Sequence, residues 1–151
     1  MTSDPVPSSA PGDRRRLADA ERACHSAGVL ALYLFGSRAN EGLLALRGEA
    51  VDRAGSDLDV GVVFDGHDAD LAALPLLQVA LEDAFAPLRV DLVPLQRVDA
   101  LFQFAAVDGH RVFADDGDRA DLYELVVMRK AAELLPVQRA IERDRFGVAT
   151  T

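Results

Sequence analysis

The sequence predicts one α/β domain of the α+β kind, a small mixed β-sheet with flanking helices. Three observations predict it. Leu30–Phe35, Leu58–Phe64 and Leu88–Val93 are short apolar runs bounded by turn residues, which is how strands read. Longer stretches around them carry apolar residues at helical spacing. The chain has 151 residues and is 50% apolar, enough for one buried core. The order helix, strand, helix, strand, helix, strand, then helices is that of one layered unit.

Met1–Asp13 is rich in Pro and Ser and reads as a disordered N-terminal arm, leaving residues 14–151 as a single domain with a helical C-terminal tail. Arg14–Ala27 places Leu17, Ala20, Cys24 and Ala27 on one helix face, and Gly28 supplies the stop. Leu30–Phe35 reads as a buried strand ending at Gly36. Ser37 is placed to cap a short helix with Glu41 in its first turn. Leu43–Gly55, punctuated by Gly48 and Gly55, reads as helix end plus loop. Leu58–Phe64 is the second strand. Pro75 suits the first turn of a helix running to about Phe85, and Pro87 closes it. Leu88–Val93 alternates Leu88, Val90 and Leu92 against Arg89, Asp91 and Val93, as a half-buried strand does. Asp99 is placed to cap a helix through Val107, stopped by Gly109, and "HRVFA" supplies a short edge strand. Arg119–Arg143 is the longest helical pattern. Leu122, Leu125, Val126 and Met128 form its apolar side, and Pro136 should kink or end it.

Charge narrows the partners. Asp and Glu number 25 against 16 Lys and Arg, a net charge of −9, so a nucleic-acid polymer is disfavoured. The Arg14–Arg16 cluster reads as a solvated helix start. Cys24 is the only cysteine, which excludes an internal disulfide and fits a reducing cytoplasm. No apolar stretch approaches the roughly 20 residues that span a bilayer, and the N-terminus has no signal-peptide core.

The chemistry concentrates at two breaks between apolar and polar sequence. "LYLF" stops at Gly36-Ser37, and "SDLDVGVVF" opens a strand with Asp57 and Asp59. Strand alternation puts these two carboxylates on one face, about 6.6 Å apart, where they can straddle a hard cation such as magnesium. Asp91, on the third strand, can join them and hold a second ion. Gly36 lets a ligand approach the backbone. Amide groups at a helix start favour phosphate, with the Ser37 hydroxyl as a further contact. For the halves to meet, the first two strands must be antiparallel neighbours. Taken singly, a Gly-Ser break is a turn and an Asp-x-Asp edge is solvated; their order along the chain makes them one site.

The combination GS…SDLDV…VDLV resembles the nucleotidyltransferase superfamily that includes DNA polymerase β. The small size and "FGSRA" are similar to its minimal nucleotidyltransferases (MNT), and Val107–Val127 is similar to the tail of MNT antitoxins. The resemblance implies a nucleotidyltransferase fold and transfer of AMP from ATP to a hydroxyl. It implies Gly36 and Ser37 at the triphosphate and Asp57, Asp59 and Asp91 on two magnesium ions. Arg38 beside them is placed either at the phosphate or in solvent. The implied acceptor is a tyrosine of a HEPN-domain ribonuclease toxin, which the protein would silence as antitoxin. Two other readings stand: neutralisation of the partner by binding alone, and modification of a small cation such as an aminoglycoside.

The chain departs from the family in two places. A longer segment separates Gly-Ser from Asp-x-Asp, and Asn40 stands where relatives often carry a second Arg. Competing motifs fail: the single lysine, Lys130, completes no phosphate-binding loop, and no G-x-G-x-x-G occurs. His25, His67 and His110 lack metal-ligand spacing and read as surface or capping residues. Cys24 reads as core.

Overall fold

The computed structural model describes residues 11–66 and 71–146. Its elements run α1 (Pro11–Ala27), β1 (Val29–Phe35), α2 (Ala39–Leu46), β2 (Leu58–Phe64), α3 (Leu74–Ala84), β3 (Val90–Pro94), α4 (Ala100–Val107), β4 (His110–Ala114) and α5 (Gly117–Phe146). The four strands form a mixed sheet ordered β3-β2-β1-β4. As required for one site, β1 and β2 are antiparallel neighbours, while β2 and β3 are parallel.

All seven residues of β1 are buried because helices cover both sides of the sheet. Leu32 and Leu34 enter one core with Val60, Val62 and Phe64 of β2, Leu77 and Leu81 of α3, and Cys24 of α1. Ala31, Tyr33 and Phe35 enter the other with Ala106 and Val107 of α4 and Ala120 and Val127 of α5. The period-2 alternation of a strand thus separates two apolar layers. Cys24 is fully buried, and burial, with a smaller contribution from Glu21, pushes its thiol up to about 12. It is core, as its helix position indicated.

Several boundaries move. α1 starts at Pro11, so the expected arm gives way to helix at residues 11–13; the rest of the arm lies outside the described residues. β1 starts one residue early at Val29, and β3 only at Val90. Asp99 caps α4 as expected, accepting from the Phe102 amide at 2.8 Å. Ser37 caps nothing: α2 begins at Ala39 with Arg38 in the cap position and no side-chain cap bond.

α5 differs most. It continues through Pro136 to Phe146 instead of ending there. Its buried side is Ala120, Val127 and Ala131, whereas Leu122 and Leu125 are each 62% exposed and Val126 and Met128 are also exposed. The helix therefore turns Ala120, Val127 and Ala131 inward and Leu122, Leu125, Val126 and Met128 outward. Polar bonds fix that rotation. Tyr33 donates to Glu124 at 2.8 Å, Arg111 donates to Asp121 and Glu124 at 2.8 Å each, and Arg119 pairs with Asp65. Among the described residues no helix is long and apolar enough to cross a membrane.

Candidate functional site

The site lies where β1 ends and β2 and β3 begin. Phe35 pairs with Asp59 across the antiparallel ladder, and Asp59 pairs with Asp91 across the parallel one. Sheet register thus sets Gly36, Asp57, Asp59 and Asp91 at one edge. Asp57 and Asp91 are exposed and Asp59 is half-buried. The Asp59 carboxyl is held above the usual carboxylate range, first by burial, then by the charges of Asp91 and Asp57. None of the three carboxylates forms an ion pair among the described residues.

Gly36 fits this edge for two reasons. Its φ is +77°, in the left-handed region, and a Cβ there would overlap the Asp59 carboxylate. The Gly-Ser turn and the Asp-x-Asp edge are in contact, as one site requires. Ser37 Oγ also lies 3.3 Å from Ser56 Oγ, so the hydroxyl faces the start of β2.

Do these residues suit magnesium? The donor set does: three oxygen-bearing groups, mutually repelling and in no ion pair among the described residues. Among the described residues, however, no group of three or more carboxylate, His or Cys side chains already converges on one point. Binding an ion here requires carboxylate rotation or added oxygens from a phosphate, which is how magnesium is commonly held.

Arg38 is not in solvent; it is 5% exposed. Nε donates to Glu41 at 3.0 Å, and Nη1 donates to the Ala54 and Ser56 carbonyls at 3.1 and 3.2 Å. Nη2 serves Glu41 and the Asp52 carbonyl. Every N–H of the guanidinium is engaged. Arg38 instead ties the loop after α2 to the turn that carries Ser37. Asn40 Oδ1 accepts from His110 Nε2 of β4 at 2.9 Å. His25 packs edge-on against Phe113 and meets Asp115 at 3.0 Å. Both histidines are thus surface residues with partners, and His67 lies outside the described residues.

Sequence reasoning missed two groups. A polar cavity of about 260 Å³ beside Asp57 is lined by Arg53, Gly55, Ser56, Pro87 and Arg89. The signal for Arg89 was present, since strand alternation puts it on the same side as Asp91. Arg53 lies in a loop whose course the sequence did not reveal.

The fold is similar to that of solved MNT antitoxins. The similar solved structures are toxin–antitoxin complexes. One is a HEPN toxin from Shewanella oneidensis, tri-AMPylated, in complex with its MNT antitoxin: TM-score 0.60 at 18% identity, over 87% of this chain and 97% of that one. Another is a toxin–antitoxin with AMP-PNP: TM-score 0.61 at 20% identity, over 85% and 96%. A third is a MntA complex in which two aspartates, two positions apart, are changed to glutamate: TM-score 0.62 at 18% identity, over 85% and 96%. No protein-family model and no curated protein matches the sequence.

Proposed function

We propose that the protein is a magnesium-dependent nucleotidyltransferase that moves AMP from ATP to a hydroxyl of a HEPN-domain partner, and so acts as its antitoxin. One observation carries this reading: β1, β2 and β3 align so that Asp59 is packed against Gly36 and opposite Asp91. The likeness to an AMPylated-toxin complex and to a complex with AMP-PNP supports it.

Asp57, Asp59 and Asp91 would hold the magnesium ions, which supply charge neutralisation at the phosphates when bound. Gly36 and Ser37 would seat the nucleotide's phosphates against the backbone. The acceptor oxygen forms a bond to the α-phosphorus as the bond to pyrophosphate breaks. The acceptor proton passes to Asp91, an exposed carboxylate on the third strand. Positioning contributes most of the rate, and no covalent enzyme intermediate is needed.

Substitution of Asp57 and Asp59 by Asn tests this. AMP transfer to the partner should fall by about 10³-fold or more, given the size of metal and electrostatic contributions, with circular dichroism unchanged. Transfer that persists sinks the mechanism. The exposed Leu122, Leu125 and Val126 of α5 favour a second reading, neutralisation by contact alone. A double Asn variant that still neutralises the toxin would select it.

A further inference from the structure

The acidic edge has two guanidiniums beside it. Arg53 and Arg89 line the cavity of about 260 Å³ that also includes Ser56 and Asp57. Neither side chain has a hydrogen bond or ion pair among the described residues. Arg16, Arg38, Arg111 and Arg119, by contrast, are engaged with carbonyls or carboxylates. The cavity adjoins the Gly-Ser turn at Ser56, whose hydroxyl lies 3.3 Å from that of Ser37. Asp57, one of the three carboxylates, is part of its lining.

An anion entering a protein of net charge −9 needs local positive charge. The Gly-Ser turn has none of its own to offer. Arg38 has no N–H to spare, and Asn40 is neutral and bonded to His110. Guanidinium forks match phosphate oxygens in pairs, and a serine hydroxyl adds a donor. The loop carrying Arg53 is held by Arg38 through the carbonyls of Asp52 and Ala54, on either side of Arg53. The arginine is therefore anchored from both flanks.

We infer that Arg53 and Arg89 form an anion subsite for the terminal phosphates of the nucleoside triphosphate, reached past Ser56 from the Gly-Ser turn. This rests on the proposed nucleotide chemistry and extends it. The same pair would hold pyrophosphate as it departs. The long segment between Gly-Ser and Asp-x-Asp then has a use, delivering a cation to the site.

The test is calorimetric titration of inorganic tripolyphosphate and of a non-hydrolysable ATP analogue, in magnesium buffer. Wild type is compared with the R53Q/R89Q double variant. Both side chains are exposed, so the variant keeps its fold. The inference expects both ligands to lose about 10-fold or more in affinity, the scale of lost charge-assisted bonds. Unchanged affinities in the variant overturn the subsite while leaving nucleotide binding in place. Failure of wild type to bind tripolyphosphate also overturns it. Tripolyphosphate binding that needs the arginines, without binding of the ATP analogue, keeps the subsite and overturns the nucleotide reading.

Discussion

An alanine at position 36 meets two penalties at once. The left-handed backbone costs a non-glycine residue about 1–2 kcal/mol. Its methyl group would also push against the Asp59 carboxylate. G36A should therefore lower the urea midpoint and depress AMP transfer by more than its stability loss accounts for. Asp59 carries a different strain. Its folded-state pKa is raised, by burial first and then by Asp91 and Asp57, so the folded protein binds that proton more tightly than the unfolded chain. The resulting destabilisation is present at neutral pH and disappears as pH falls below the ordinary Asp range. D59N should thus raise the melting temperature in magnesium-free buffer at pH 7, with the advantage shrinking toward pH 4. Added magnesium should stabilise wild type and not D59N. The residues at this edge were legible in sequence because a glycine break and period-2 carboxylates are local signals. Arg38 was not. Its burial depends on carbonyls of Asp52, Ala54 and Ser56, contacts that exist only once the loop has folded.

At the scale of elements, that loop and α5 bear the most informative tests. Removing a buried arginine that satisfies three carbonyls and a carboxylate costs about 3 kcal/mol. R38A should lose about that much stability and become open to trypsin after Arg47 and Arg53, both in the loop Arg38 ties down. R38K should rescue little, since an ammonium cannot reproduce the planar fork. On α5, V127A should cost about 2 kcal/mol of core packing, whereas L125S should stay within about 0.5 kcal/mol. Denaturation curves of the two distinguish the buried side from the exposed one. Periodicity gave α5 its helix and an apolar stripe, yet the stripe at Leu122, Leu125 and Val126 faces out. The inward side uses Ala120 and Ala131, residues whose pattern carries almost no signal. What sets the rotation is long-range, through Tyr33–Glu124 and Arg119–Asp65.

The whole molecule is a sheet covered on both faces and open at one edge, where strand ends bring the carboxylates together. The short apolar runs made that layering readable in the sequence, and the need for Gly36-Ser37 to meet Asp57 and Asp59 made the antiparallel β1–β2 pair readable. The edge strand His110–Ala114 was readable too. The exact starts of α1 and β3 were not, because helix and strand ends are settled by packing partners rather than local pattern. The central claim is that this edge transfers AMP to a HEPN-domain protein. The most direct measurement is mass spectrometry of a HEPN-domain protein from the same genome. It would be incubated with ATP, magnesium and either wild type or the Asp57→Asn, Asp59→Asn variant. The account predicts an added AMP mass on a hydroxyl residue with wild type and none with the variant. An unmodified partner with wild type, or equal modification by both proteins, would contradict it.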